Sequence, residues 1–429
     1  MKRIVSIILP LLLLLSACGP KAAAPAASGD CDWMGRDKAF HERYQLEEAV
    51  VMSRHNLRSP LTGKGSVTSR VTPHEWFSWT SGPGELSRKG AILESQMGQF
   101  FGQWIVGEGL WGLNAEPEEG RVRFYANSMQ RTIATARSFA ATFLPMCDIE
   151  VEHHYPVGTM DPVFEPALTR DDQEFVQTAT AQMTAFGGDS GIEGFGDPIA
   201  PNLRLLEKVL DIRHSPAALG DTVSFCTTDS KLLLASSKEP GMKGGLNMAR
   251  LAVDALILQY YENPDDAGAG FGRRLSHRQW ESIGDILSWY HTILFGTEAV
   301  SRNVSELLAE TIACELEVPE RSFSFLCGHD SNLLSLLAAV GAEPYSLPET
   351  IEHLTPIGGK LVITKWKAED GEYYAALDYV YASDTQIRTM QMLDMSNPPQ
   401  SYPIHLDGLE TNGDGLYRLS DVILRLRSL

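Results

Sequence analysis

The sequence predicts an α/β protein: a central mixed sheet flanked by helices, carrying a mostly helical inserted domain. Three observations lead there. Apolar or strand-forming runs at residues 49–52, 121–126 and 322–327 each pass directly into polar residues that open a loop or a helix. Residues 361–366 and 373–381 read as two strands joined at Glu369-Asp370-Gly371, a pair that extends the same sheet. From about Glu150 to Asn303, helical segments alternate with loops rich in Gly, Pro and Asp.

In chain order, Lys2 and Arg3 precede an apolar segment from Ile4 to Leu15 that is too short to span a bilayer and is built like a secretory signal. Residues 1–17 are therefore expected to be removed. Leu15-Ser16-Ala17-Cys18 resembles a bacterial lipobox, so Cys18 is the expected lipid anchor; the alternative is an ordinary signal in which Cys18 is incidental. Residues 18–31, rich in Ala, Pro and Ser, read as a flexible tether. The remaining length exceeds what one hydrophobic core usually supports, which divides it into an α/β unit (32–150 with 304–429) and a helical cap (151–303).

The net formal charge of -19 argues against a nucleic-acid partner, so any phosphate site has to be a local positive pocket. With Cys18 set aside, Cys31, Cys147, Cys226, Cys314 and Cys327 are an odd set without C-x-x-C spacing, which implies neither a zinc site nor a complete disulfide framework.

Ala49 to Met52 read as the end of a buried strand, and Ser53-Arg54-His55-Asn56-Leu57-Arg58-Ser59-Pro60 follows at its carboxyl end. Two guanidinium forks match phosphate oxygens, and a neutral imidazole between them can attack phosphorus. Taken alone, the motif reads equally as a solvated turn with scattered charges. Residues 72–84 then form an irregular loop, and a helix from Glu85 to about Val106 places Leu93, Met97, Phe100, Phe101 and Trp104 against the sheet.

Residues 121–126 run into Asn127-Ser128-Met129-Gln130-Arg131-Thr132, where Asn127 is the expected N-cap and Gln130 its capping-box partner. Arg131 then sits in the first turn, where the helix dipole disfavours a cation. A bound anion explains it, as does an arginine that simply reaches solvent. In the third element, Gly328-His329-Asp330-Ser331-Asn332 follows a strand and opens a helix that Gly341 ends. Asp330 or Ser331 can serve as its cap; His329 has no such structural use.

Several local patterns carry less. Gly188-Asp189-Ser190-Gly191 lacks the surroundings of a serine nucleophile, and Gly268, Gly270 and Gly272 follow no strand. Adjacent His153 and His154 lack a chelating helical spacing. Residues 410–421 depart from a calcium loop at their first and last positions, so no metal site is expected.

The Arg-His motif together with the distant His329-Asp330 pair resembles the histidine acid phosphatases, branch 2 of the histidine phosphatase superfamily. Asn56 stands where most of that branch has glycine, a version similar to the bacterial periplasmic glucose-1-phosphatases; asparagine tolerates left-handed backbone, so the loop is expected to keep its shape. The likeness extends through Gly158-Thr159-Met160-Asp161-Pro162, Gln259-Tyr260-Tyr261-Glu262 and Thr355-Pro356-Ile357-Gly358-Gly359. It implies an α/β domain with a largely helical insertion and the active site between them. It also implies His55 as nucleophile, Asp330 as proton donor, and Arg54, Arg58, Arg131 and His329 as phosphate ligands, with no metal or organic cofactor. Glu239 in Ser237-Lys238-Glu239-Pro240-Gly241 matches a glutamate on the sugar side of the pocket, with a solvated loop glutamate as the bland alternative.

The expected substrate is a small phosphate monoester, glucose 1-phosphate before phytate. Phytate would call for many cations around the pocket, and residues 61–70 offer only Lys64 and Arg70. A reading of another class is a lipid-anchored sugar-phosphate-binding protein without turnover, which would not need both a nucleophile and an acid.

Overall fold

The computed structural model describes residues 31–61, 66–218 and 223–429; Cys18, the leader, Lys64 and all of the tether except Cys31 lie outside the described residues. The chain runs α1 (Lys38–Arg43), β1 (Tyr44–Arg54), α2 (Arg88–Gly107), β2 (Val122–Ala126) and α3 (Gln130–Phe143). Then come α4 (Gln173–Thr184), α5 (Ala200–Leu210), a hairpin of β3 (Lys231–Leu233) and β4 (Gly241–Lys243), α6 (Gly245–Glu262), α7 (Asp266–Ala269), α8 (His277–Phe295) and α9 (Glu298–Glu317). The last part comprises β5 (Phe323–Gly328), α10 (Asp330–Ala339), β6 (Lys360–Ala368), β7 (Tyr373–Tyr381), α11 (Asp384–Thr389), β8 (Gln400–Pro403), β9 (Tyr417–Arg418) and α12 (Leu419–Arg427).

The seven-stranded sheet has the order β2-β5-β1-β6-β7-β8, with β9 also on β7. β5 lies parallel to both β1 and β2, whereas β6 is antiparallel to β1 and β7 to β6, so the sheet is mixed as expected. β1 is central and its last seven residues are buried. Its two-residue periodicity divides them between two cores. Ala49 and Val51 join Met97, Phe101, Ile133 and Phe139 of α2 and α3. Val50 and Met52 join Leu308, Ile312, Leu333 and Leu337 of α9 and α10. Phe139 is fully buried and stacks on Phe325 with ring centroids 4.3 Å apart. Cutting it to alanine would cost roughly 3–5 kcal/mol and unseat α3 from the sheet.

Two helix starts differ from expectation for one reason: buried side chains at the strand ends have more demanding partners. α3 is capped at Met129 without a side-chain bond. Gln130 instead accepts from Leu86 N–H, and Asn127 is drawn to His329 and Asp161. At α10 the cap is His329, whose N–H is accepted by Asn332 Oδ1, and Asp330 is the first helical residue. Gly341 follows α10 at φ +76, as the sequence suggested.

Residues 151–303 carry α4 to α8 and the short β3–β4 hairpin. The seam expected at 303/304 falls inside the continuous 20-residue α9. We propose that the cap ends instead at Gly296 and Thr297, between α8 and α9. The C-terminal loop with the imperfect calcium pattern is held by protein donors: Asp414 takes Arg43 Nη1 at 2.6 Å and Tyr44 O–H at 2.8 Å.

Candidate active site

Parallel pairing sets the carboxyl ends of β1, β5 and β2 side by side, with Arg54 in register with Gly328 and Ala126 with Cys327. The residues that follow each strand enter one crevice, the usual ligand position in an open α/β sheet. His55 and His329 approach with ring centroids 5.5 Å apart, and Arg131 Nη2 lies 3.4 Å from His329 Nδ1. Arg54 Nη2 lies 3.1 Å from Asp330 Oδ2. Arg58 is near enough to His55 and Arg131 to lower the proton affinity of both. The six residues expected to form the phosphate site are thus brought together.

Two of the arginines are held by buried or half-buried carboxylates. Arg54 Nη1 donates to Glu352 Oε1 at 2.7 Å and to Thr355 O, and Arg58 Nη2 donates to Asp254 Oδ1 on α6 at 2.7 Å. Yet the Nε–H groups of Arg54, Arg58 and Arg131 are all buried without a hydrogen-bond partner. An unsatisfied buried donor is costly, and three around one imidazole fit an anionic group that brings its own acceptors.

His55 Nδ1 lies 2.9 Å from Asn56 O. A carbonyl only accepts, so the ring proton is on Nδ1 and Nε2 keeps its lone pair. Burial, then Arg131 and Arg58, hold this imidazole well below its usual range, so it stays neutral in mild acid. A neutral ring with Nε2 free meets the requirement for a nucleophile. Burial and the neighbouring Arg58 lower Arg131 to about 10. Burial alone would raise Asp330, but the fixed charge of Arg54 outweighs it and holds the carboxyl well below the usual carboxylate range.

Asn56 keeps the loop by a different means than expected. It is not among the residues with positive φ. Its Nδ2 donates to Glu94 Oε2 at 2.8 Å and its Oδ1 accepts from Leu57 N at 2.8 Å, so side-chain bonds hold the turn. Gly358, at φ +66, lies against that amide, and a Cβ there would stand 2.6 Å from Asn56 Nδ2.

Glu239 lies in the loop between β3 and β4, which is pinned by Leu168 through Ser237 N–H and Lys238 O. It is open to solvent on one side. On the other, burial and the charges of Glu165 and Asp330 raise its carboxyl above the ordinary value.

A profile described as histidine phosphatase superfamily (branch 2) matches residues 45–184. The chain is 36% identical over 382 residues to glucose-1-phosphatase of Salmonella typhimurium, covering 87% of this chain and 90% of that one. It is 34% identical to glucose-1-phosphatase of Providencia rettgeri, covering 86% and 88%. The chain belongs to the histidine phosphatase superfamily, branch 2. Among solved structures, the phytase of Citrobacter braakii superposes with a TM-score of 0.81 at 26% identity, covering 90% of this chain and 97% of that one. This histidine phosphatase is a phosphoric monoester hydrolase with the α/β fold anticipated from its strand ends.

Sequence reading missed several residues around the phosphatase site. Asp254 and Glu352 orient Arg58 and Arg54 from 196 and 298 positions away, and only their nearness to motif segments hinted at them. Glu94 and Lys360, both fully buried and 2.9 Å apart, support Asn56 from beneath. Among the described residues, only Asp32, His41 and Glu108 bring three ligand-type atoms within 4.8 Å of one another. There His41 lies between the two carboxylates through different ring nitrogens, at 3.2 and 3.5 Å.

Proposed function

We propose that this phosphatase hydrolyses sugar phosphates, glucose 1-phosphate foremost, through a phosphohistidine at His55. The observation that carries the reading is the set of three buried, unpartnered arginine Nε–H groups around an imidazole whose Nε2 is unprotonated. In the first half-reaction Nε2 bonds to phosphorus as the P–O bond to the sugar breaks, and Asp330 gives its proton to the departing oxygen. In the second, water attacks phosphorus, Asp330 takes back a proton, and the P–N bond breaks to release phosphate. Arg54, Arg58, Arg131 and His329 hold the phosphoryl oxygens, whose charge they stabilise most strongly in the transition state.

Asp330 must be protonated for this role, although Arg54 favours its ionised form. A phosphoryl dianion among the arginines offsets their field, so substrate binding itself raises the proton affinity of the acid. Glucose 1-phosphate is supported by the two glucose-1-phosphatase relatives and by Glu239, which can accept hydrogen bonds from sugar hydroxyls and repels a polyanion. The likeness to the C. braakii phytase supports phytate as the alternative substrate. The leader and Leu15-Ser16-Ala17-Cys18 support export and lipid anchoring at Cys18; a Cys18→Ser chain that stays membrane-bound would refute the anchor.

Rapid quench into alkaline denaturant, in which the P–N bond of phosphohistidine survives, after mixing with ³²P-labelled p-nitrophenyl phosphate tests the chemistry. Label is expected on His55 in a single turnover and is absent from His55→Ala. Turnover at the wild-type rate by His55→Ala would overturn the assignment.

A further inference from the structure

Asn127 directly follows β2 and is fully buried, and every hydrogen-bonding atom of its side chain has a partner. Oδ1 accepts the backbone N–H of Asp161 at 2.9 Å. Nδ2 faces Met160 Sδ at 3.2 Å and His329 Nε2 at 2.7 Å. Flipping the amide would set a donor against the Asp161 N–H in a buried place, so its orientation is fixed. Asp161 cannot move to relieve such a clash, because its Oδ2 accepts Tyr125 O–H at 2.7 Å and its Oδ1 accepts Val163 N–H at 3.1 Å.

The fixed amide decides the state of His329. Nε2 receives an N–H from Asn127, so it carries the lone pair, and the proton of the neutral ring belongs to Nδ1. Nδ1 lies 3.4 Å from Arg131 Nη2, which is also a donor. A neutral imidazole has one lone-pair nitrogen, and the 2.7 Å contact with Asn127 claims it over the 3.4 Å one with Arg131 and over the Asn332 N–H, which faces the His329 side chain from the first turn of α10 without forming a cap hydrogen bond to it. Nδ1–H and Arg131 Nη2–H therefore stand as two converging donors at a separation that one anionic oxygen can bridge. The opposite tautomer would turn a lone pair toward that oxygen.

We propose that Asn127 is a positioning residue: it locks His329 as the neutral Nδ1–H tautomer, so that His329 and Arg131 donate to the same phosphoryl oxygen. This rests on the phosphate pocket proposed above, but the tautomer itself does not. Holding the ring neutral adds a donor without a fourth positive charge beside Arg54, Arg58 and Arg131. It also matches the pairing at His55, where the proton is again on Nδ1 but is turned to Asn56 O, leaving Nε2 to react. Two histidines 5.5 Å apart are given opposite tasks by what the far nitrogen of each ring bonds.

The test uses the whole enzyme with ¹⁵N-labelled histidine. Two-bond proton–nitrogen spectra should show His329, assigned by its loss in His329→Asn, with a protonated Nδ1 and an unprotonated Nε2 between pH 5 and 8. Asn127→Asp keeps the acceptor for Asp161 N–H but presents a carboxylate to Nε2, so Nε2 should become protonated. The pH profile of kcat/KM should then gain a limb that titrates with the ring. Asn127→Leu should raise KM for p-nitrophenyl phosphate about tenfold or more, the equivalent of one lost charge-assisted bond. A wild-type ring protonated on Nε2, or an Asn127→Asp enzyme with unchanged tautomer and pH profile, would overturn the proposal. Inorganic phosphate should shift the Nδ1 signal. A silent Nδ1 alongside the expected tautomer would refute the phosphate pocket while leaving the hold of Asn127 on the ring established.

Discussion

Arg54 Nη2 lies 3.1 Å from Asp330 Oδ2, while the same guanidinium reaches Glu352 Oε1 at 2.7 Å. One buried arginine is thereby shared between two carboxylates of different kinds. Glu352 is fully enclosed and also accepts Ile357 N–H, so its place is fixed. Asp330 starts α10, is less enclosed than Glu352, and has one oxygen on Ser331 N–H. A phosphoryl group that engaged Arg54 would compete with Asp330 for it and not with Glu352, and so would couple substrate arrival to protonation of Asp330, as its proposed acid role requires.

That coupling makes the effect of Asp330→Asn depend on the leaving group. An amide cannot deliver the proton, so turnover of a sugar phosphate should fall by roughly 10²-fold to 10⁴-fold. p-Nitrophenyl phosphate, whose phenolate departs unaided, should lose about tenfold or less in its phosphorylation step, measured as the burst of nitrophenolate. Equal losses for the two substrates would remove Asp330 from the acid role.

Beneath the catalytic loop, Glu94 Oε1 and Lys360 Nζ form an ion pair 2.9 Å apart with neither side chain exposed. The Coulombic gain there offsets desolvation only while both partners are present. Glu94→Leu or Lys360→Met alone should therefore cost roughly 3–5 kcal/mol in urea unfolding, and the double variant Glu94→Leu with Lys360→Met should cost less than the sum. Additive losses would show that the two charges do not depend on each other. Because Glu94 also holds Asn56 at 2.8 Å, the single variants should lose activity at temperatures where they remain folded.

The fold was legible where one local signal sufficed. Each strand end announces itself by an apolar run passing into polar residues, and β6 and β7 by a Gly turn, since periodicity and turn chemistry are properties of neighbours in sequence. The six residues that come together at the strand ends were legible because Arg54, His55, Arg58, Arg131, His329 and Asp330 lie within three short motifs. What failed were choices between competing hydrogen-bond partners. Asn127 and Gln130 form a sound capping box on paper, yet His329, Asp161 and Leu86 take those side chains. The pairings of Asp254, Glu352 and Lys360 could not be read from the sequence because their partners, Arg58, Arg54 and Glu94, come only with tertiary structure.

His291 on α8 sits in the wall of a small cavity that also includes Ser288, Asp330 and Glu352. Burial lowers its pKa to about 4, with Arg250 and Arg54 adding to the effect. The ordinary value is 6.5, so the unfolded chain binds this proton more readily than the folded one. The stability gained by burying the neutral ring is thus complete above about pH 6.5 and is lost as pH falls toward about 4, by up to about 3 kcal/mol. His291→Gln should remove that dependence. Urea midpoints at pH 4 and pH 7 should differ less in the variant than in the wild type, and an equal difference would show that His291 is not the group that titrates.

Selection between substrates should turn on Glu239. It lies on a loop that Leu168 pins, and its carboxyl feels Glu165 and Asp330 as like charges and Arg250 and Arg131 as opposite ones. A sugar hydroxyl supplies donors to such a carboxylate, whereas the uncleaved phosphates of phytate meet its negative charge. Glu239→Ala should lower kcat/KM for glucose 1-phosphate by about tenfold, the equivalent of one or two hydroxyl bonds, and leave phytate unchanged or improved. Glu239→Gln separates the two causes, because it keeps acceptance from hydroxyls and removes the charge: glucose 1-phosphate turnover should largely persist while phytate improves. If the ratio of the two specificity constants is the same in wild type and Glu239→Ala, the residue does not select substrates, and the sugar side of the pocket must be sought elsewhere in the cap.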